Sequence, residues 1–594
     1  MRKLLKKISV IILALTLSLT CFVGCNPVRE ADQTLEVFIA NRGYGIDGVK
    51  AALYAFAEQD WVKAKYPNIK IAEPVAERSP NYGINKIKAP SSNNFDLIFV
   101  IEDLAPFFGK NSKGVSTLVE LSDVFNGEVP GEPGVIYKEK MNDQSLQYVT
   151  YINGDGEEEY YDFPWCTGYL GFVYNPRLLA NYVDDVPRTT DELIDFMAKV
   201  KAGPENKASM SPAEIAAWNI EHCGNAGGYA YAPCGGTAYE TYMFEPWWAQ
   251  YDSAETFNDF WDGIYTDASG IKSYSEKIFE AQGRLKSMEV MAELLSQVNG
   301  YYDLSLSEED FMVAQTTFLK GEYPMTICAD WFDSEMKLTR EAMIAEYNAG
   351  VAGAMLPEDL RVLITPVVSD IVEKLSYRNG GAYMTDEQLS FLVKCIDDKL
   401  AYADAKVAFA TEYPGTPELA RKDYTRLMDA RAVYRTGAMG HTACIPSVSN
   451  SIDVAKDFVR FLATDVCQLA YMTATEGQNL PFEFDPESTA TLYGSTKTVA
   501  QAYDDAYANF SPMQQPRLDY FFNTFNPVQI LVSNLRKPLS QVGMKSLEIA
   551  GNVGWVLRAQ NPPSPQSMFD STKAAYDGQR FRFLCFEAGL VEDY

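Results

Sequence analysis

The feature that most constrains the fold is an alternation of short apolar runs with amphipathic segments, repeated along several hundred residues. "LEVFIA" (35–40) is followed by a turn-rich stretch and then by apolar residues at helical spacing (49–56). "FDLIFVI" (95–101) is a continuous apolar run, as in a strand that helices cover on both faces. Strands and helices that alternate in this way predict an α/β protein with mainly parallel sheets.

Capping motifs locate several helix starts. A Ser or Thr followed three residues later by Glu or Gln satisfies backbone N–H groups that the first helical turn leaves free. Gly203 is expected to end the helix that begins at Thr189, and a further helix is expected to begin at Ser307. The capping pairs are Thr189 with Glu192, Ser211 with Glu214 and Thr385 with Gln388.

Length and charge limit the classes of partner. The chain has 594 residues, which is enough for two or more domains with substantial cores. Its formal net charge of −29 argues against nucleic acid, because phosphate binding needs clustered cations. With only two histidines, a His-based metal centre is not expected, and no metal or other cofactor is predicted.

An acidic stretch leaves one metal question open. "NGDGEEE" (153–159) suggests a calcium loop, but it lacks the spaced ligands of an EF-hand. The flanking "YVTYI" and "YYDF" favour a hairpin whose turn uses the Asn-Gly and Asp-Gly pairs. We therefore predict a hairpin, and a structural calcium stays an open alternative.

The N-terminus carries an export signal. Residues 1–24 combine a basic start with a mostly apolar run (8–24) that is shorter than a typical membrane-spanning helix. "FVGC" (22–25) resembles a bacterial lipobox, which implies that Cys25 receives a diacylglycerol anchor. Residues 25–34 are then a tether, and the protein is expected on the outer face of the cytoplasmic membrane. The alternative is a soluble secreted protein with an incidental Cys25.

Eight cysteines follow Cys25 in the sequence. Only Cys223 and Cys234 lie close together, in a Gly-rich stretch, and they could form a disulfide after export. The other cysteines are scattered through apolar segments and are interpreted as buried thiols. No CxxC pair occurs, so a zinc ribbon or a thioredoxin motif is not predicted.

Four segments, in order along the chain, carry a family resemblance. They are "YYDFPWCTGYLGFVYNPRLLANYVDDVPRTTDELIDFMAKVKA" (160–202), "FMVAQTTFLKGEYPMTICADW" (311–331), "HTACIPSVSNSIDVAKDFVRFLATD" (441–465) and "TEGQNLPF" (475–482). Together they resemble the signatures of extracellular solute-binding protein family 1, the substrate-binding lipoproteins of ABC importers, of the carbohydrate type. Residues 340–436 and 485–594 match none of these signatures.

The resemblance implies a periplasmic-binding-protein-like fold of type II, in which a ligand cleft lies between two hinged lobes. It also implies a monomer that delivers an oligosaccharide to the transmembrane subunits of an ABC permease. Lobe one is expected to comprise residues 35–164 plus about 440–480. Lobe two is expected to comprise 165–439 plus about 481–594, with extra helical segments.

A sugar site needs aromatic faces for C–H surfaces and polar side chains for hydroxyl groups. On position, Trp331 is expected to supply a principal stacking platform, with Asp330 beside it as a hydroxyl acceptor. Of two adjacent tryptophans at 247 and 248, only one is expected to face the cleft. The predicted ligand-binding residues are Tyr44, Asp103, Trp165, Trp247, Trp248, Asp330 and Trp331.

Two alternatives to an oligosaccharide-binding protein remain at this point. Large peptide-binding lipoproteins of ABC importers reach this length, so the ligand could be a peptide. A surface glycoside hydrolase is a more distant alternative. Its two catalytic carboxylates would need a defined separation across a cleft. No motif singles out such a pair, so the chain is not predicted to be an enzyme. Which sugar, of which linkage and length, stays open.

Overall fold

The computed structural model describes residues 33–592 except 80, 111–113, 234–238, 240, 308, 437–439, 493, 524–527, 531–535, 546–548 and 551. The predicted signal peptide, Cys25, most of the tether and Cys234 lie outside the described residues. The described chain folds into two α/β lobes, each built on its own β-sheet and hydrophobic core.

Lobe one is built on a five-stranded sheet whose strands are fully or mostly buried at its centre. The strand Thr442–Cys444 returns to this sheet from late in the sequence and pairs with two strands from the first 164 residues. It is antiparallel to both, whereas the first three strands run parallel to one another. The order across the sheet is Val75–Glu77, Val37–Ala40, Leu97–Phe99, Thr442–Cys444 and Phe163–Pro164.

Lobe two is built on a six-stranded sheet centred on Leu170–Tyr174. This strand begins just after the chain leaves lobe one, and it is antiparallel to Met325–Ala329 and Arg361–Leu363. The order across the sheet is Tyr231–Ala232, Met325–Ala329, Leu170–Tyr174, Val433–Arg435 and Val528–Ile530, with Arg361–Leu363 also paired to Leu170–Tyr174.

The expectation of mainly parallel sheets is wrong, because both sheets are mixed. The cause is the path of the chain between the lobes. Leu170–Tyr174 starts at the lobe boundary and runs away from it, whereas Met325–Ala329 runs toward the boundary and ends there. Val433–Arg435, the last strand before the chain returns to lobe one, is likewise antiparallel to Leu170–Tyr174, the strand by which the chain enters lobe two.

Helices cover the two sheets. Three two-stranded pairings lie outside them: Thr34–Leu35 with Lys70–Ile71, Thr150–Ile152 with Glu158–Tyr160, and Ile264–Thr266 with Lys272–Tyr274. The α-helices up to the first return to lobe one are Asp47–Glu58, Asp60–Lys65, Asn81–Lys88, Ser122–Phe125, Tyr137–Lys140, Asp143–Val149, Pro176–Leu179, Thr190–Ala202, Pro212–Cys223, Thr241–Asp252, Ala254–Asp262, Gln282–Leu295, Phe311–Leu319, Phe332–Asn348, Asp386–Asp397, Tyr402–Glu412 and Arg421–Ala432. Those after it are Ile452–Leu462, Asp465–Ala474, Val499–Tyr507, Gln515–Asn523, Pro538–Val542, Val553–Leu557, Pro565–Ala575 and Gly578–Glu587.

The predicted capping motifs are confirmed. In each, the Ser or Thr side chain accepts a hydrogen bond from the backbone N–H three residues on, and Gly203 follows the first of these helices. The predicted hairpin across residues 153–157 is confirmed as well. The helix expected from Ser307 instead begins at Phe311, because Asp310 caps it by accepting from the backbone N–H of Met312.

We expected residues from about 481 to 594 to belong to lobe two, but part of this segment packs on lobe one. The helix Val499–Tyr507 packs on Asp465–Ala474 of lobe one, and the two share a small hydrophobic cluster. The apolar side chains of Leu469 and Met472 would otherwise face water, so this segment covers them. Residues 538–588 do join the core of lobe two.

Candidate functional site

Loops at strand ends of the two lobes meet at the lobe boundary. Tyr44 follows the lobe-one strand Val37–Ala40 and stands between Gly43 and Gly45, whose φ angles of 54° and 70° suit glycine. Its side chain is buried. The Tyr44 ring lies edge-on to Trp331 of lobe two, with 5.7 Å between ring centroids. It therefore contributes to both the core of lobe one and the interface.

Asp330 follows the lobe-two strand Met325–Ala329 and reaches the same place. Its Oδ1 accepts a hydrogen bond of 3.1 Å from the hydroxyl of Tyr44. Its Oδ2 lies 3.3 Å from Nε of Arg517, and both side chains are fully buried. Burial raises the pKa of Asp330 to about 6, and the charge of Arg517 opposes that shift. The carboxylate is thus held in place by groups from two distant parts of the chain.

Trp331 is only 8 % exposed, and its surroundings are aromatic. Besides Tyr44, its ring neighbours are Tyr242 at 6.2 Å and Tyr239 at 6.4 Å between centroids. The contact with Tyr44 crosses the lobe boundary. Separation of the lobes would therefore uncover one side of the indole.

Asp103 lies elsewhere on the lobe-one surface of the boundary. One of its carboxylate oxygens accepts from the backbone N–H of Ala105, so it caps a short turn. The same oxygen accepts a 2.9 Å hydrogen bond from Nε of Arg536. Asp103 is therefore already engaged by a side chain from the C-terminal part.

Trp165 is a core residue of lobe one. It is fully buried, and its Nε1 donates to the backbone oxygen of Val100. Its ring packs against Phe99 and, at 5.5 Å between centroids, against His441. The expectation that Trp165 lines the cleft is wrong for this conformation, because its side chain is fully buried against Phe99 and His441.

Trp247 and Trp248 are also core residues, so the expectation that one of them faces the cleft is wrong for this conformation. Both lie on the helix Thr241–Asp252 inside lobe two and are fully buried. Their indole N–H groups donate to the backbone oxygen of Pro366 and to Oδ2 of Asp252. This helix is buried on several sides, so adjacent residues that point in different directions both reach the core.

Two ion pairs at the boundary were not predicted. Arg435 ends a lobe-two strand, pairs with the buried Glu245 and lies 4.8 Å from the ring centroid of Tyr242. Arg517 holds Asp330 and also donates to the side-chain oxygen of Asn479 at 2.6 Å. Arg517 stands in a segment without any family signature, so the sequence offered no signal for its position.

The two lobes are in direct contact where Tyr44 meets Asp330 and Trp331. A cavity of about 10 Å³ remains there, lined by Ser145, Tyr148, Pro164, Cys166, Thr167, Thr436, Gly440 and Thr442. Such a volume holds about one water molecule. This cavity is therefore too small for a ligand.

Within the described ranges, no group of three or more His, Cys, Asp or Glu side chains could hold a metal ion. None of the described helices is long and apolar enough to cross a membrane. Cys223 is a buried free thiol in this structure.

Comparisons with known proteins give structural neighbours only. No protein-family model matches the chain, and no curated protein matches it. Among solved structures it is similar to the GacH receptor of Streptomyces glaucescens, with 14% identity over 93% of this chain and 98% of that chain, and a TM-score of 0.44. A probable secreted solute-binding lipoprotein from Streptomyces coelicolor matches at 13% identity, 92% and 99% coverage and a TM-score of 0.46. Maltose-bound MalE3 of T. maritima matches at 14% identity, 93% and 99% coverage and a TM-score of 0.45.

Proposed function

We propose that this protein is a substrate-binding protein of an ABC importer that holds an oligosaccharide between its two lobes. The observation that carries the proposal is the meeting of Tyr44 from lobe one with Asp330 and Trp331 from lobe two. An aromatic face and a carboxylate arrive together from opposite sides of one boundary. This is the combination that a sugar ring and its hydroxyl groups require.

Binding by this arrangement needs an open state. Tyr44 and Asp330 are buried and hydrogen-bonded to each other, so a ligand that lies between them enters only after this contact has broken. Closure on the ligand then replaces contacts between the lobes with contacts to sugar. The ligand shifts the equilibrium by its preference for the closed, loaded form.

We further propose that Cys25 carries a diacylglycerol and anchors the protein to the outer face of the cytoplasmic membrane. The loaded monomer would then deliver its sugar to the transmembrane subunits of the permease. The lobe-one sheet supports a division in which residues 35–164 and about 440–480 form lobe one, and most of 165–439 forms lobe two. The sequence "FVGC" (22–25), at the end of an apolar run, supports the proposed lipid anchor.

A thermal-shift panel tests the proposed function. Oligosaccharides of different linkage and length are compared with peptides, using the chain from residue 26 onward. A ligand at 100 times its Kd should stabilise the protein by about 2.7 kcal/mol and raise Tm. We expect at least one oligosaccharide, and no peptide, to do so.

A reducing-sugar assay on the same panel separates binding from hydrolysis. Release of reducing ends in proportion to protein would favour a glycoside hydrolase. A rise in Tm with peptides alone would favour a peptide-binding protein. Either result would overturn the proposed function.

A further inference from the structure

Arg536 fills a pocket on the lobe-one side of the boundary. Its guanidinium carbon lies 4.0 Å from the ring centroid of Tyr148 and 4.8 Å from that of Phe108. Nε donates to Asp103 at 2.9 Å, and Nη2 donates to Asp162 at 2.9 Å. A flat group is thus held over aromatic faces and bordered by two carboxylates.

The pocket is built by lobe one and is more than a surface ion pair. Asp162 is fully buried, and Nη1 of Arg536 also donates to the backbone oxygen of Tyr148 at 2.8 Å. The hydroxyl of Tyr148 is buried and makes no hydrogen bond to another described residue. Tyr148 also lines the small cavity at the lobe boundary. A polar group in the pocket therefore remains available to a ligand hydroxyl.

The next residue is attached to the other lobe. Nζ of Lys537 lies 2.7 Å from Oδ1 of Asp262, on a lobe-two helix. Two consecutive residues therefore bind opposite lobes. When the lobes separate, one of the two contacts must break or the connection must pivot.

We propose that Arg536 is an internal competitor, and that the pocket of Phe108, Tyr148, Asp103 and Asp162 is a subsite for one sugar ring of the ligand. This inference rests on the proposed function and names a subsite within it. The ring stacks where the guanidinium lies now, and its hydroxyls donate to the carboxylates that Arg536 occupies. Arg536 leaves the pocket as the sugar enters.

An occupied subsite weakens the apparent affinity of the ligand. When the pocket is vacant in a fraction of molecules, the observed Kd is the intrinsic Kd divided by that fraction. Minor states of this kind are commonly populated at about 0.1–10%. Removal of the competitor should thus tighten binding about 10-fold or more.

The test measures by calorimetry the Kd of the oligosaccharide found in the panel. Arg536→Ala empties the pocket and should lower Kd about 10-fold or more. Lys537→Ala is the matched control, because it removes the neighbouring ion pair with Asp262 and leaves the pocket filled. We expect its Kd to stay within about 2-fold of the parent value.

A second variant shows whether a gain in affinity in Arg536→Ala comes from the vacated subsite or from weaker contact between the lobes. Asp103→Asn in the Arg536→Ala background should reverse most of the gain, because the carboxylate would contact the sugar. Methylguanidinium, which can refill the emptied pocket, should weaken sugar binding by Arg536→Ala and leave the parent unaffected. If Arg536→Ala does not fold, Arg536→Lys keeps the charge beside the two acids and should give a smaller gain.

The outcomes are distinct. An unchanged or weaker affinity in Arg536→Ala, or an equal gain in Lys537→Ala, overturns the internal competitor while sugar binding by the parent upholds the proposed function. If neither the parent nor any variant binds an oligosaccharide, both proposals fail. If methylguanidinium in that case still raises the Tm of Arg536→Ala and leaves the Tm of the parent unchanged, the pocket binds cations and not sugars.

Discussion

The hydroxyl of Tyr44 in lobe one lies 3.1 Å from Oδ1 of Asp330 in lobe two, and both side chains are buried. This hydrogen bond joins the loop after the first strand of one sheet to the end of a strand in the other sheet. Its loss should favour the open state, because the closed state alone contains it.

Tyr44→Phe should therefore shift the unliganded protein toward the open form. Hydrogen bonds to charged groups contribute about 1.5–3 kcal/mol, so the shift should be large enough for small-angle scattering. We expect a larger radius of gyration than in the parent. Tyr507→Phe is the control, because it removes a 2.7 Å hydrogen bond to Asp519 on an exposed surface. An unchanged radius in Tyr44→Phe would contradict the assigned role.

Gly168→Ala should prevent full closure. A Cβ at residue 168 would lie 1.7 Å from the hydroxyl oxygen of Tyr44 and 2.5 Å from Oδ1 of Asp330. Overpacking of this kind costs about 1–3 kcal/mol, and opening of the lobes would relieve it. We expect a lower denaturant midpoint together with an expanded radius. Gly154→Ala, whose Cβ meets no atom within 4 Å, should change neither quantity.

Trp331→Ala should weaken sugar binding. Loss of one aromatic platform removes about 1–3 kcal/mol, which corresponds to a roughly 5- to 150-fold higher Kd by calorimetry. Its effect on Tm without ligand should be smaller than that of a core substitution. Trp555→Ala, at a tryptophan that is 56 % exposed, is the matched control and should leave Kd unchanged. A variant that binds as tightly as the parent would assign Trp331 to packing between the lobes.

Trp247→Ala should show the opposite behaviour. The indole is fully buried in the core of lobe two, so its removal should lower the free energy of unfolding by about 3–5 kcal/mol. Chemical denaturation measures this loss, and Kd at a temperature where the variant stays folded should match that of the parent. A large change in Kd with little loss of stability would show that Trp247 contributes to ligand binding.

Glu335→Gln should flatten part of the pH dependence of stability. Burial raises the pKa of Glu335 to about 7, and the hydrogen bond that its carboxylate accepts from the side chain of Gln315 opposes that shift. The usual value is about 4.3, so the folded state binds more protons than the unfolded state between about pH 4.3 and 7. Stability contributed by the protonated group is therefore lost as pH rises through this window.

Thermal unfolding between pH 4.5 and 8 checks this sign. The parent should lose Tm with rising pH, and Glu335→Gln should lose less over the same range. Glu341→Gln, on an exposed position of the same helix, is the control and should follow the parent. A parent and a Glu335→Gln variant with parallel curves would show that Glu335 does not titrate there.

Local signals in the sequence predicted much of the fold. Capping pairs such as Thr189 with Glu192 act within one helical turn, so their outcome depends little on the rest of the molecule. The position of Asp330 and Trp331 at a strand end placed them at the lobe boundary, where the structure also has them. Long-range pairing is different, because nothing local determines that Leu170–Tyr174 is antiparallel to Met325–Ala329.

The candidate site was predicted only in part for the same reason. Trp247 and Trp248 follow a segment rich in Gly and Tyr (227–242) that suggested a loop beside the cleft, yet they belong to a buried helix with Pro246 inside it. Arg517 and Arg536 come from residues that carry no family signature, and tertiary packing alone brings them to the boundary. Side chains that act across the lobes cannot be assigned from neighbours in sequence.

The late arrival of Thr442–Cys444 in the lobe-one sheet has a consequence for synthesis of the chain. Phe99 pairs with Ala443, so the edge of Leu97–Phe99 has no partner until more than two thirds of the chain has been made. Unpaired strand edges invite association with other chains, and such long-range pairing is slow to form. Lobe two also waits for late segments, because Val528–Ile530 joins its sheet and Leu539 its core. We therefore expect the newly made chain to need a holding chaperone until its C-terminal part has been made.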